Sequence, residues 1–150
     1  GAVGATAAFT MALQNTCNEL ILFDIATGVA KGKAIDIAQA SYYSSKSTNV
    51  RAVENIVDVK DCNIVVITAG VPRKGDMTRA DLLLINAKII KDVTLNIKKA
   101  SPNAIIICVS NPLDVMTYVI SRLTSWGQNR IIGMAGALDG SRMAYQINQK

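Results

Sequence analysis

Histidine is absent from all 150 residues. The side chain that usually carries protons near neutral pH is therefore missing, and acid–base chemistry would need another carrier. Without histidine, and with Cys17, Cys62 and Cys108 far apart and no C-x-x-C pair among them, a zinc site is not expected. Cys62 and Cys108 fall at or inside expected strands, which fits buried thiols in a reducing compartment. Aromatic residues make up only 5% of the chain, and Lys98-Lys99 is the sole adjacent pair of lysines. The net charge of +5 thus lacks the stacking platform and basic stripe of a nucleic-acid binder, and fits a mild field for anionic ligands. No apolar run approaches membrane-spanning length, no signal peptide opens the sequence, and a soluble protein with no membrane partner is expected. Repeats, low-complexity tracts and interdomain linkers are also missing.

Half of the residues are hydrophobic, which is enough for one globular domain with a proper core. Residues 68–79, Thr-Ala-Gly-Val-Pro-Arg-Lys-Gly-Asp-Met-Thr-Arg, organise the rest. The apolar run 64–69 reads as a buried strand ending at Gly70 and Pro72. Arg73 and Arg79 then flank a polar loop containing Gly75, and Asp81 opens a long helix over 78–99. In open α/β sheets ligands bind at the carboxyl ends of the strands. Two guanidiniums there suit a small substrate with carboxylates, because each planar fork can hold a carboxylate through two parallel hydrogen bonds. Solvated loop arginines are the structural alternative.

Gly1 and Gly4 sit three apart at the start of a helix expected over 5–13, like the end of a G-x-G-x-x-G turn against a pyrophosphate. A flexible terminus would explain them equally well. A strand over 20–23 ends in Asp24, twenty residues after Gly4, near the spacing of the acid that accepts the ribose hydroxyls of NAD. That carboxylate would repel a 2′-phosphate; a turn or helix-cap aspartate is the alternative. A short helix over 29–39 and a serine-rich loop over 41–49 follow. The loop contains a Tyr42-x-x-x-Lys46 pair formally like that of short-chain dehydrogenases, which we treat as chance. Further strands are expected over 50–53, 104–109 and 130–132, and helices over 115–123 and from Leu138 onward. The strand at 104–109 reads as buried on both faces. Asn111-Pro112 doubles as an ordinary helix start, with Asn as N-cap. On the 78–99 helix, Leu82, Ile89 and Val93 form one apolar face and Leu83, Ile90 and Ile97 another, a stripe wide enough to imply a subunit interface. Lys88, Lys91 and Lys98 would line its wet face. Alternating strands and helices give an α/β fold with a doubly wound parallel sheet.

In family order, the stretches Gly1-x-x-Gly4, Asp24, Gly32-Lys33-Ala34-x-Asp36, 68–79, Asn86, 109–114 and 133–142 make the chain resemble the lactate/malate dehydrogenase family, nearest its lactate-dehydrogenase-like malate dehydrogenases. The resemblance implies a Rossmann-type NAD-binding domain over 1–150, lacking the family's first strand and reaching the linker helix to a substrate domain. A missing central strand would leave two sheet edges unpaired. It implies Gly1, Gly4, Asp24, Asn86, Val109, Ser110 and Asn111 as cofactor contacts and no metal. Arg73, Arg79, Asn111 and Arg142 would bind a dicarboxylate; Arg79 would also polarise the reacting carbonyl, and Asp139 would orient the catalytic histidine, which this segment lacks. Arginine at position 73 fits a second carboxylate, hence malate and oxaloacetate, where lactate dehydrogenases usually present an uncharged residue. The loop would close over substrate and exclude water; Gly75-Asp76 stands where the family commonly has Pro-Gly. A homodimer or homotetramer, the cytoplasm and the tricarboxylic acid cycle come with the resemblance. The alternatives are a lactate or other 2-hydroxyacid dehydrogenase, and a non-catalytic NAD-binding or oligomerising fragment.

Overall fold

The computed structural model describes residues 1–42, 48–73 and 75–149. Tyr43–Ser47, with Lys46 of the chance Tyr-x-x-x-Lys pair, and Lys74 lie outside the described residues. The chain divides into two compact units: residues 1–62 with 96–103, and residues 63–95 with 104–150.

The first unit holds helix α1 (Ala2–Leu13), strand β1 (Glu19–Leu22), helix α2 (Thr27–Ser41) and strand β2 (Asn49–Ala52). Strands β1 and β2 pair in parallel, Glu19 opposite Asn49 and Leu22 opposite Ala52. Small residues let the two helices come close. Ala8 and Ala12 of α1 and Ile37 of α2 are buried together, with Leu20, Leu22 and Val50 packed against them. Helix α1 begins earlier than expected, so Gly4 lies inside it rather than in a turn before it. Glycine costs roughly 0.5–1 kcal/mol relative to alanine in a helix interior, which a propensity reading weighs against early helix.

The second unit contains strand β3 (Ile64–Ile67), most of helix α3 (Arg79–Ala100), strand β4 (Ile105–Cys108), helix α4 (Leu113–Thr124), strand β5 (Ile131–Gly133) and helix α5 (Gly136–Asn148). Its three strands run parallel in the order β3-β4-β5. Among the described residues the strands therefore form two parallel groups, β1-β2 and β3-β4-β5, and not one ladder. In β4, Ile106 and Cys108 are buried while Ile105 and Ile107 are only half-buried, so full burial is confined to one face. Burial pushes the Cys108 thiol up from its ordinary pKa. Cys62 precedes β3 and is half-buried, contrary to the buried thiol expected there.

Helix α3 starts one residue later than its apolar pattern indicated, and Arg79 is its first residue rather than a loop residue. Thr78 and Asp81 cap it reciprocally. The Asp81 backbone N–H donates to Thr78 Oγ1 at 3.1 Å, while Thr78 N–H and hydroxyl donate to Asp81 Oδ2 at 3.0 and 2.5 Å. This is a capping box closed by aspartate, and it places a negative charge at the positive end of the helix. Both Thr78 donors, the hydroxyl first, hold the Asp81 carboxyl below its usual pKa. Along α3, Ile90 and Ile97 are buried, whereas Leu82, Ile89 and Val93 are half-buried. Lys88 and Lys91 are exposed as expected; Lys98 is half-buried. Helix α4 begins at Leu113 with Pro112, not Asn111, in the N-cap position. Trp126 is half-buried beneath the Arg130 guanidinium, 3.9 Å from its ring centre.

Ile106 is fully buried at the centre of its sheet, so Ile106→Ala should cost about 2–5 kcal/mol in urea unfolding. Ile25→Ala, at a side chain 93% exposed, should change stability by less than about 0.5 kcal/mol. The lowered Asp81 pKa stabilises the fold above the ordinary carboxylate pKa, and this contribution is lost as pH falls through the lowered value. Asp81→Asn should flatten that acid limb in thermal melts recorded across pH; an unchanged limb would exclude the cap as its source.

Candidate functional site

The parallel ladder of the second unit sends the chain out of β3, β4 and β5 at one edge of the sheet. After β3 comes the segment with Arg73, after β4 come Val109, Ser110 and Asn111, and after β5 comes α5 with Asp139 and Arg142. Arg79 opens the helix that returns from the first of these segments. The chain order thus places the segments carrying Arg73 and Asn111 at the carboxyl edge of one three-stranded sheet, with Arg79 at the start of α3 and Arg142 inside α5.

The edge is tied together by its own backbone. Val109 N–H donates to the Ile67 carbonyl and Met134 N–H to the Cys108 carbonyl, each at 2.9 Å. Ser110 is buried, and its hydroxyl lies 2.6 Å from the Ala69 carbonyl and 3.3 Å from that of Ile67. The hydroxyl therefore staples the end of β4 to the segment leaving β3. Gly70 follows with φ +153°, a conformation that side chains disfavour, and a Cβ there would lie 3.3 Å from Asn86 Oδ1.

Asn86, on the second turn of α3 after Arg79, is only 3% exposed. Its Oδ1 accepts the Val71 N–H at 2.9 Å. Its Nδ2 donates to the Asn111 carbonyl at 2.9 Å and lies 3.4 Å from the Val71 carbonyl. One N–H and two carbonyls around the amide fix which way it points. The sequence marked Asn86 only through the resemblance; what betrays its structural place is a polar residue at a core position of an apolar helix pattern.

The guanidiniums at this edge make local contacts. Arg73 Nε donates to the Met77 carbonyl at 3.0 Å, and its Nη hydrogens are not part of that bond. Arg142 Nη1 reaches Asp139 Oδ1 at 3.2 Å, one turn apart on exposed α5. The carboxylate expected to orient a histidine and the guanidinium expected to hold a substrate are thus paired with each other. Such an exposed pair contributes only about 0–1 kcal/mol, so it yields readily to a ligand.

In the first unit, Gly1 and Asp24 do meet. The Gly1 nitrogen donates to Asp24 Oδ2 at 2.6 Å, and Ala26 N–H donates to Asp24 Oδ1 at 3.0 Å. Asp24 thus stands just beyond β1 with its Oδ1 engaged by the Ala26 backbone. Gly4, on the first turn of α1, makes no such contact with Asp24. A shallow groove along α1 is lined by Ala2, Val3, Thr6, Ala7 and Thr10; it holds none of the arginines. Among the described residues no cluster of three or more metal-ligating side chains occurs, and no helix is long and apolar enough to cross a membrane.

Comparison with known proteins points the same way. Residues 1–133 match the family model described as lactate/malate dehydrogenase, NAD binding domain. The chain is 50% identical over 150 residues to a malate dehydrogenase of Sulfurimonas denitrificans, covering 100% of this chain and 47% of that protein. It is similar to the malate dehydrogenase of Archaeoglobus fulgidus solved in complex with NADH, with a TM-score of 0.92, 37% identity, and coverage of 97% and 50% of the two chains. It also resembles a lactate dehydrogenase from a Medee basin deep-sea metagenome library, with a TM-score of 0.92, 39% identity, and coverage of 99% and 47%. The chain spans about half the length of the curated relatives it matches.

Proposed function

Because the chain belongs to the lactate/malate dehydrogenase family and carries its NAD-binding domain over residues 1–133, we propose that it is the cofactor-binding half of a malate dehydrogenase. The full-length chain would interconvert malate and oxaloacetate. The nicotinamide, when bound, supplies the site that accepts or returns the hydride. In this reading Gly1, Gly4 and Asp24 hold the pyrophosphate and adenosine ribose, and Val109–Asn111 contacts the rest of the cofactor. Asn111 donates to the substrate oxygen, Arg142 holds the carboxylate beside the reacting carbon, and Arg79 stabilises charge developing on the carbonyl oxygen. Asp139 would orient a histidine supplied by another segment and favour its charged form.

The observation that carries the dicarboxylate reading is Arg73 at the carboxyl edge of β3, with its Nη hydrogens uncommitted to Met77. A charge-assisted hydrogen bond contributes roughly 1.5–3 kcal/mol, or about ten- to over a hundredfold in discrimination. The fold of a lactate dehydrogenase fits the chain equally well, so position 73 is what separates the two substrates. Exposed Leu84 and Leu95 on α3 support a homodimer or homotetramer, and a cytoplasmic role in the tricarboxylic acid cycle accompanies the enzyme assignment.

In the full-length chain, Arg73→Gln should lower kcat/KM for oxaloacetate by about ten- to a hundredfold and leave pyruvate nearly untouched, read as NADH oxidation. Equal losses on both substrates would remove Arg73 from the specificity role. Asp24→Ser should weaken NADH binding and raise the relative use of NADPH, because the charge opposing a 2′-phosphate is gone. An unaltered NADH to NADPH preference would dissociate Asp24 from the ribose.

A further inference from the structure

We propose that Asn86 is a positioning residue for the substrate grip: its buried amide locks the arginine loop and the Asn111 turn to helix α3. The inference deepens the malate dehydrogenase reading and differs from a cofactor-contact role for this residue. Three observations carry it. The Asn86 side chain is almost wholly buried, and both of its polar atoms are engaged by backbone groups of the protein. Those groups belong to Val71, two residues before Arg73, and to Asn111 itself. Asn86 also lies seven residues after Arg79, two helical turns along the same face, so the contact that fixes its azimuth fixes that of Arg79 as well. One amide therefore sets the relative placement of Arg73, Arg79 and Asn111.

The surroundings are built for this contact. Gly70 brings its backbone so close that a Cβ would meet the Asn86 amide at 3.3 Å, and the Ser110 hydroxyl staples the segments leaving β3 and β4 as well. Replacing the amide by a methyl group would strand the Val71 N–H and the Asn111 carbonyl without their partner and free both segments. A loosened anchor acts through misplacement, which is costly where a transition state must be gripped from several directions.

The test compares full-length wild type, Asn86→Ala and Asn86→Asp by steady-state kinetics, NADH titration and amide hydrogen exchange. Asn86→Ala should raise KM for oxaloacetate about tenfold or more and speed exchange at the Val71 amide about tenfold or more. Asn86→Asp keeps the acceptor for Val71 but loses the donor to Asn111, so Val71 should stay protected while oxaloacetate turnover still falls. It also decides the matter if the alanine variant does not fold. A rise in NADH Kd with Val71 exchange unchanged would overturn the proposal in favour of a cofactor contact. An aspartate variant with wild-type kinetics would overturn the Asn111 arm. If the wild type fails to reduce oxaloacetate, the enzyme reading falls, while faster Val71 exchange would still support the lock and unchanged exchange would still refute it.

Discussion

Parallel pairing of β3, β4 and β5 is the constraint on which the candidate site depends. Because neighbouring strands run the same way, every one of them releases its chain at the same edge, and each crossover helix must return on the far side. Segments far apart in sequence, those leaving Ile67, Cys108 and Gly133, thereby emerge at one rim. Ile67 opposite Cys108, and Cys108 opposite Gly133, set the level of that rim to within a residue. A one-residue slip would turn Ile106 and Cys108 from the buried face to the other and displace the segments that follow.

Polar groups then refine what the ladder sets coarsely. Ser110 joins the segments that leave β4 and β3, Asn86 ties those segments to α3, and the Thr78–Asp81 pair caps the start of α3. The buried members of this set are nearly free of solvent, so their hydrogen bonds hold geometry that an exposed contact would not. The exposed members, the Arg73–Met77 contact and the Arg142–Asp139 pair, are the weak ones, and they involve the groups proposed to meet substrate. Rigid below and exchangeable above is the arrangement expected of a binding rim.

Much of this was legible in the residues. The apolar runs around Ile64 and Ile105, each closed by turn residues, located strands to within one or two positions. Yet β3 is not the buried strand expected: only Ile67 is buried, and Ile64 and Val66 are exposed. The helix over α3 was equally clear from its 3.6-residue period. Less legible were points where a local signal has two meanings. Asn111-Pro112 reads as a helix cap, yet the Asn111 carbonyl is taken by Asn86 and the helix opens after Pro112. Gly4 reads as a turn residue and lies in a helix, since packing of α1 outweighs a cost of about 1 kcal/mol. The mutual pairing of Asp139 and Arg142 could not be read as an alternative to their separate roles, although their spacing of three on a helix permits it. Asn86 carried no sign of its hydrogen bonds, because its partners are backbone groups that sequence leaves unmarked.

The central claim is that Arg73 recognises the second carboxylate of a four-carbon diacid. A crystal structure of the full-length chain with NADH and an unreactive dicarboxylate analogue measures this directly. The account predicts Arg73 bidentate to the distal carboxylate at about 2.7–2.9 Å, with Arg142 on the other carboxylate and Asp139 released from it. Arg73 remaining on the Met77 carbonyl, with the distal carboxylate held by other groups, would contradict it.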